Sequence, residues 1–286
     1  MPDYRYSLVD VFAERPLEGN LLAVIEDADG IDAETMQTLA RRFRLSETSF
    51  IQSPTSATAT YRHRIFIVTD EIPFAGHPSL GTAAVWAWRK GKADADLVQE
   101  TISGEQQIKV QMDGRSGTAT IWQNPAEFGE IVEAGPILAA LGLPADAAHP
   151  SLPAQLVSTG LPTTIVPLRD PALLGQIAMS PAALEPAMTA SDGSRTVTCY
   201  VVAETGPGEW RARSFGTDLA GGEDPATGSA AGPFGAYLNA NTGATQVTIT
   251  QGVEMECPSV LRVDTRDGVV VSGNVQIVGD GVLTLP

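Results

Sequence analysis

Hydrophobic and polar positions alternate at the start of the chain and then change to a helical spacing. Alternation from Tyr4 to Phe12 predicts a strand, and the apolar stretch from Leu21 to Ile25, which follows a Gly-Asn turn, predicts a second. A hairpin therefore opens the protein. Between Asp32 and Arg44 the apolar residues recur every three or four positions, which predicts an amphipathic helix with an acidic cap.

Two later runs are small or apolar at almost every position. They extend from Pro78 to Trp88 and from Ala230 to Leu238, and each follows a loop that contains proline and glycine. A helix that is hydrophobic on all sides is normally enclosed by other structure. The pattern therefore predicts two central helices, each wrapped by strands, with the N-termini of both helices directed at one cleft.

Most of the remaining chain has the pattern of strands separated by turns, and Asp113-Gly114 predicts a hairpin. The segment from Glu127 to Pro153 is richer in Ala, Pro and Gly, so we interpret it as a linker region with a short helix at 136–141. Further strands are predicted at 45–51, 57–68, 106–122, 155–167, 196–203, 209–215 and 247–286.

The two glycine loops repeat one another as E-x-P-x-x-G. Glu71 and Glu223 open them at an offset of 223 − 71 = 152 residues, close to half of the 286-residue chain. An Arg-x-Phe triplet precedes each loop, and the stretch beginning at Gly19 resembles the one beginning at Gly160. Similar order in both halves indicates an internal duplication. We therefore predict an α+β fold of two pseudo-symmetric lobes, 1–130 and 131–286, with the last strands able to cross back to the N-terminal lobe.

Composition narrows the possible partners. Eighteen basic against 34 acidic side chains give a formal charge of −16, which disfavours nucleic acid because phosphate contacts need clustered Lys and Arg. No apolar stretch reaches the roughly 18 residues of a membrane span, and no signal segment is evident at the start. Cys199 and Cys257 have neither CxxC nor metal-ligand spacing, which favours reduced packing thiols. We expect a cytoplasmic protein.

His77, Asp224 and Ser229 are the candidates for chemistry that the residues themselves suggest. A histidine at the positive end of a helix loses basicity, so His77 could be a neutral imidazole that accepts or passes a proton. Asp224 and Ser229 flank the second loop and can face the same cleft. Alternatives stay open: His77 as an ordinary core histidine, Asp224 as a loop cap and Ser229 as the helix N-cap. Glu47 by itself reads as a surface residue, whereas Glu71 and Glu223 are interpreted as structural partners.

Serine-hydrolase elbows, zinc motifs, Walker loops and dinucleotide loops do not occur in the sequence. We therefore expect neither a metal nor an organic cofactor. Free N–H groups at helix starts bind anions, so the expected ligand is a small anionic molecule held by local donors against the overall negative charge.

Four segments resemble the PhzF-like family of phenazine-biosynthesis isomerases, which has the diaminopimelate-epimerase-like fold. They are SETSF at 46–50, PFAGHPSLGTA at 73–83, EDPATGSAAGP at 223–233 and QGVEMECPS at 251–259. With the similar opening VDVFAERPLEGNLLAVI, the resemblance spans nearly the whole chain. It implies two lobes, each a β-barrel around a central helix, an active site between them, and a homodimer.

The resemblance also implies residue roles. It makes Glu47 the base that removes and returns a ring proton of trans-2,3-dihydro-3-hydroxyanthranilate, supported by His77, Asp224 and Ser229. It assigns the backbone amides of Gly76 and Gly228 to substrate binding. Related epimerases carry a cysteine just before each motif glycine, where this chain has Ala75 and Thr227. The sequence thus predicts a cofactor-independent isomerase, with a non-catalytic binding protein and a disfavoured amino-acid epimerase as alternatives.

Overall fold

The computed structural model describes residues 1–189, 196, 198–216 and 222–285. Contacts divide the chain into two compact units, the first made of residues 1–122 together with those from 272 on, and the second of residues 123–271. The predicted strand 196–203 includes residue 197, and the second glycine loop begins at Gly221. Both of these positions lie outside the described residues. The predicted lobe boundary at 130/131 stays a prediction.

The first unit is a closed barrel of mainly antiparallel strands. Its strands pair in the ring order β1-β2-β3-β4-β6-β7-β8-β17, and β17 returns to β1. The short strand β5 pairs with β4. The strands are β1 (Asp3–Val11), β2 (Asn20–Ile25), β3 (Thr48–Gln52), β4 (Tyr61–Phe66), β5 (Glu71–Ile72), β6 (Asp94–Thr101), β7 (Gly104–Asp113), β8 (Ser116–Trp122) and β17 (Val270–Thr284).

Two helices complete the first unit. Helix α1 (Ala33–Phe43) begins after Asp32, whose side chain accepts a hydrogen bond from the Thr35 amide, and its apolar face covers β3 and β4. Helix α2 (Gly76–Arg89) packs against strands β1, β2, β6, β7 and β8 and is buried at most positions. The enclosure of α2 confirms the prediction drawn from its apolar sequence, because strands surround it on every side.

The second unit has the same plan. Helix α5 (Gly228–Thr242) is buried from Ala230 to Leu238 and packs against β10, β11, β15 and β16. The strands are β9 (Glu127–Ile131), β10 (Gln155–Ser158), β11 (Pro162–Pro167), β12 (Thr198–Gly206), β13 (Glu209–Phe215), β14 (Glu223–Asp224), β15 (Gln246–Gln251) and β16 (Ser259–Asp264). Helices α3 (Ala134–Ala140) and α4 (Pro181–Ala187) share an apolar cluster with β11 and β12.

Strand pairing shows the duplication directly. In the first unit β2 pairs parallel with β3, β3 antiparallel with β4, and β4 parallel with β6. In the second, β11 pairs parallel with β12, β12 antiparallel with β13, and β13 parallel with β15. The short strands β5 and β14 pair antiparallel with β4 and β13, just before each central helix. The predicted α+β fold of two barrels around central helices is confirmed.

Besides the two-residue strands β5 and β14, two longer strands were missed in the sequence. Strand β6 carries polar residues at most positions, and β9 lies in the segment interpreted as a linker. Both owe their strand conformation to neighbours distant in sequence, β6 to β4 and β7, and β9 to β10. A propensity pattern cannot contain that contribution. Within the described residues, no helix is long and apolar enough to cross a membrane.

Candidate active site

Glu47 and His77 lie side by side in the first unit. Glu47 immediately precedes β3, and His77 is the second residue of α2. The Oε2 atom of Glu47 is 3.5 Å from Nδ1 of His77. Because β3 and β4 lie against the central helix, the fold places a carboxylate at the helix start. Thus two of the predicted residues, thirty positions apart in sequence, are brought together by the barrel wall and its central helix.

The imidazole of His77 is neutral. Its side chain is 3% exposed, and burial lowers its pKa to about 3. A carboxylate at the distance of Glu47 favours an imidazolium, but loss of solvation has the larger effect and decides the direction. The sequence predicted a neutral ring because of the positive helix end. In the structure, burial is the main cause of the lowered pKa. A neutral ring can make directed hydrogen bonds at neutral pH, and the role of His77 in moving a proton stays a prediction.

Asn20 is a third member of this cluster that the sequence did not reveal. It is the first residue of β2, it is buried, and its Nδ2 atom lies 3.4 Å from Nδ1 of His77. The same Nδ1 atom faces the Glu47 carboxylate, so a donor and an acceptor both lie beside this ring nitrogen. The Nε2 atom is buried and has no hydrogen-bond partner among the described residues. A buried ring nitrogen without a partner is costly unless a ligand supplies one.

Asp224 lies in the second unit, in the loop that leads into α5. It ends β14, is 6% exposed, and its Oδ2 accepts a 2.7 Å hydrogen bond from the Thr227 hydroxyl. Gln251 of β15 contacts the same turn, because its Nε2 atom donates to the Asp224 carbonyl. The negative charge of Asp224 and burial together raise the pKa of Tyr200, burial being the larger cause. Thr227, Gln251 and Tyr200 are thus further residues of this turn.

Ser229 is not the N-cap of the second central helix. Helix α5 begins at Gly228, so Thr227 occupies the N-cap position, and its side chain makes no capping hydrogen bond. The Thr227 hydroxyl donates to Asp224 instead. Ser229 is therefore the second helical residue and partly exposed, in the place that His77 holds in α2. The alternative role of Ser229 as the helix N-cap is wrong, because Thr227 holds that position.

Matching ion pairs hold the two loops. Arg64 donates from Nε and an Nη atom to both carboxylate oxygens of Glu71, at 2.7 and 2.6 Å. Arg213 does the same to Glu223 at 2.8 and 2.6 Å. Two-pronged pairs fix orientation as well as position. The interpretation of both glutamates as structural partners is confirmed, and each pair anchors the loop that leads into a central helix.

A metal site is not evident in the part of the chain that the structure describes, where no group of three or more His, Cys, Asp or Glu side chains could hold an ion. Cys199 is fully buried on β12, and burial raises its pKa to about 12. Cys257 follows β15. Neither thiol lies at the start of a central helix, where Ala75 and Thr227 stand instead.

Comparisons with known proteins agree with this architecture. The family model described as phenazine biosynthesis-like protein matches residues 9–285. Trans-2,3-dihydro-3-hydroxyanthranilate isomerase from Pseudomonas chlororaphis is 34% identical over 99% of this chain and 100% of its own length. The enzyme of the same name from Pseudomonas aeruginosa is 33% identical over 90% of this chain and 88% of its own.

Solved structures extend the comparison to the fold. A predicted epimerase from Pseudomonas aeruginosa is similar with a TM-score of 0.85 and 33% identity, over 99% of this chain and all of its own. A hydroxyproline epimerase from Agrobacterium vitis is similar in fold, with a TM-score of 0.66 at 14% identity, over 99% of this chain and 93% of its own. The fold is therefore diaminopimelate-epimerase-like. From the motifs, the barrels and these matches together, the chain belongs to the PhzF family and is an isomerase.

Proposed function

We propose that this isomerase moves a proton within a small, cyclic, carboxylated metabolite without a cofactor, and that Glu47 is the acid and base. The observation that carries the proposal is the 3.5 Å approach of the Glu47 carboxylate to the buried imidazole of His77 at the start of α2. A side chain that removes and returns a proton must sit at a fixed place beside the reacting carbon. Glu47 is 13% exposed, so a ligand can reach it.

His77 complements this base as a donor. In this proposal the Nε2 atom, which has no partner among the described residues, carries the ring proton and donates a hydrogen bond to a substrate oxygen. The developing negative charge on that oxygen would be stabilised as Glu47 takes the proton from carbon. Glu47 then returns its proton to another carbon of the same ring, which completes the isomerisation with no net gain or loss of protons.

Asp224, Ser229 and the helix-start amides are assigned to substrate binding in this proposal. Backbone N–H groups of Gly76 and Gly228 lie in the first turns of α2 and α5, where helices leave donors unsatisfied and attract anions. The substrate carboxylate is the natural ligand for such donors. Asp224 would accept from a polar N–H or O–H of the substrate, and Ser229 would hydrogen-bond beside it.

Trans-2,3-dihydro-3-hydroxyanthranilate is the substrate that we propose first. The support comes from the two Pseudomonas relatives that carry this name at 33% and 34% identity, and from a carboxylate and polar groups that suit the donors described above. A non-catalytic metabolite-binding protein is the second candidate. The Glu47–His77 pair opposes it, because binding alone does not need a base. A two-cysteine epimerase is disfavoured by Ala75 and Thr227.

The test is incubation of the protein with trans-2,3-dihydro-3-hydroxyanthranilate in heavy water, followed by absorbance and mass. We expect a change in absorbance together with deuterium in the product, because the proton that Glu47 has taken from the substrate can exchange with solvent before Glu47 returns it to the ring. Binding without any absorbance change would support the non-catalytic alternative. A protein that neither binds nor converts this compound would overturn the substrate assignment.

A further inference from the structure

A buried glutamine follows each central helix at the same repeat offset. Gln99 lies on β6 and Gln251 on β15, and 251 − 99 = 152, the offset that separates the two loop glutamates. Both glutamines are 0% exposed. A primary amide in a protein core is costly unless its donors and acceptor are satisfied, so two such residues at equivalent places call for an explanation.

Gln251 forms most of its hydrogen bonds with the turn before α5. Its Nε2 atom donates to the Asp224 carbonyl at 2.8 Å and to the Thr227 hydroxyl oxygen at 3.0 Å. Its Oε1 atom accepts from the Tyr200 hydroxyl at 3.1 Å and from the Thr227 amide at 3.3 Å. Thr227 in turn donates to the Asp224 carboxylate. One side chain therefore fixes the backbone of Asp224 and the hydroxyl that orients its carboxylate.

Gln99 is connected to the start of α2 by a longer chain of hydrogen bonds. Its Nε2 atom donates to Ser79 Oγ at 2.8 Å, and Ser79 donates to the carbonyl of Ala75, the N-cap of the helix that carries His77. The same Nε2 atom also donates to Gln106. On the other side, the Gln99 Oε1 atom lies 3.0 Å from Nδ1 of the buried His63.

The chain continues from His63 to the strand that begins after Glu47. Nε2 of His63 lies 2.8 Å from the hydroxyl of Ser49 and 3.2 Å from that of Thr82. Ser49 is the second residue of β3 and follows Glu47 by two positions. Gln99 thus links, through buried donors and acceptors, the strand end that bears Glu47 with the helix start that bears His77.

We propose that Gln251 and Gln99 are positioning residues, one for each repeat, that hold Asp224 and the Glu47–His77 pair in their reactive geometry. The inference rests on the proposed function, because it assigns these residues to the chemistry of that site. Neither glutamine needs to touch the substrate. Buried, fully connected polar networks fix one arrangement of their members, which apolar packing cannot do. This explains why a glutamine, rather than an apolar residue, occupies each of these core positions.

The experiment is a double-mutant cycle of Gln251→Met with Asp224→Asn, followed by kcat and KM on trans-2,3-dihydro-3-hydroxyanthranilate. Gln251→Met keeps the length of the side chain and removes all of its hydrogen bonds. We expect kcat to fall at least about tenfold with KM within about threefold, since the reacting geometry and not binding is disturbed. In the Asp224→Asn background the same change should cost less than about threefold, because the residue through which Gln251 acts is already altered.

Gln276→Met is the matched control. Gln276 is a buried glutamine of β17 that hydrogen-bonds Ser116 and the carbonyls of Ala13 and Glu14, far along the chain from either loop. We expect it to lose stability while kcat stays within about twofold. A folded Gln251→Met protein with kcat within twofold of wild type would overturn the proposal, and so would losses that multiply in the cycle. If Gln251→Met does not fold, Gln251→Glu is used in its place. This variant keeps the shape of the side chain and the two hydrogen bonds that Oε1 accepts.

Gln99, the repeat-related glutamine of the first unit, is tested in a second double-mutant cycle. Gln99→Met should lower kcat at least about tenfold in a wild-type background, and less than about threefold in a Glu47→Gln background. A Gln99→Met protein that keeps wild-type kcat would show that the buried chain of the first unit is structural only.

Failure of the proposed function remains distinguishable from failure of this inference. If wild type does not convert trans-2,3-dihydro-3-hydroxyanthranilate, the proposed substrate is wrong, and amide hydrogen exchange decides the positioning role. Gln251→Met should then raise exchange in peptides covering 224–232 at least about tenfold relative to Gln276→Met. Equal exchange in both variants would overturn the role of Gln251.

Discussion

His77 illustrates how its position changes an ordinary side chain. On a surface its ring would titrate near neutral pH, but at the buried start of α2 its pKa falls to about 3. His63, a second buried histidine of the same unit, has its pKa lowered to about 4, again through burial. Both rings are therefore neutral where the protein works, and each can take part in directed hydrogen bonds that an imidazolium could not accept.

Replacement of Glu47 by Gln separates binding from chemistry. The amide keeps the size of the side chain and its hydrogen bonding but cannot take a proton, so we expect turnover to fall at least about a hundredfold while ligand still binds. Solvent deuterium uptake by the substrate measures the loss, and calorimetry of 3-hydroxyanthranilate binding is the control. Exchange of substrate protons at the wild-type rate in this variant would exclude Glu47 as the base and pass the role to His77 or Asp224.

The two buried histidines predict a loss of stability in mild acid. Unfolded histidine titrates near 6.5, whereas both native pKa values are lower, so below pH 6.5 the unfolded state binds more protons. The free energy of unfolding is therefore unaffected by these histidines above pH 6.5. As the pH falls from 6.5 toward 4, it decreases by about 1.4 kcal/mol per pH unit for each histidine. Urea unfolding between pH 7 and 5 measures it.

A substitution isolates one histidine in that measurement. His63→Gln removes one proton site, so the slope of unfolding free energy against pH should decrease by about 1.4 kcal/mol per pH unit. The partly exposed His149 provides the matched substitution, His149→Gln. An unchanged slope in His63→Gln would mean that this ring is not held neutral.

At the scale of elements, the two central helices depend on small residues. A Cβ atom on Gly81 of α2 would lie 2.8 Å from side-chain carbons of both Leu22 and Val11. One on Gly235 of α5 would lie 2.5 Å from a methyl carbon of Val263. The close approach of strands to these helices explains why both sequences are rich in Gly and Ala. It also places the helix starts, and with them His77 and Ser229, at fixed positions in each barrel.

Alanine at these glycines should therefore destabilise each unit. We expect Gly81→Ala and Gly235→Ala to lower the free energy of unfolding by about 1–3 kcal/mol, because the added methyl group overpacks a filled core. Gly135→Ala in α3 is the control, since nothing lies within 4 Å of its added Cβ, and it should change stability by less than about 0.5 kcal/mol. Thermal unfolding gives the comparison. Equal effects at all three sites would contradict the close packing of the central helices.

At the scale of the whole molecule, the last strand belongs to the first barrel. Strand β17 pairs with β1 and with β8, so the barrel closes only through residues that follow the second unit in the chain. The sequence anticipated that the last strands could cross back. The closed barrel of the first unit therefore needs β17, because this strand pairs with the free edges of both β1 and β8. The predicted homodimer stays a prediction.

Charge placed inside β17 tests this closure. Val275 is fully buried opposite Val11, whereas Val282 on the same strand is 59% exposed. Val275→Asp should lower the free energy of unfolding by about 3 kcal/mol or more, because a carboxylate is buried without a partner. Val282→Asp, on the solvent side, should stay within about 0.5 kcal/mol. Denaturant unfolding distinguishes them, and a harmless Val275→Asp would mean that β17 does not close the barrel.

The sequence by itself determined the elements whose signal is local. The alternating start of the chain, the capped helix α1 and the two uniformly apolar helices appear in the structure close to where the pattern predicted them. The offset of 152 residues also sufficed to predict two related lobes, because a duplicated unit repeats its core and its loops together. Glu47, by contrast, owed its functional role to family resemblance, since a lone glutamate before a strand has no distinctive local pattern.

Tertiary structure alone decided what depends on neighbours distant in sequence. Strands β6 and β9 exist because partner strands offer them hydrogen bonds, and Asn20 joins His77 only when β2 lies beside α2. The decrease in the pKa of His77 is larger than a helix end alone would give. Burial is its main cause, and burial depends on the folded surroundings of the ring. The helix begins at Gly228 and not after Ser229, and Thr227, at the N-cap position, donates its hydroxyl to Asp224. Local sequence carries periodicity and turn chemistry, whereas burial and long-range contacts arise only when the chain has folded.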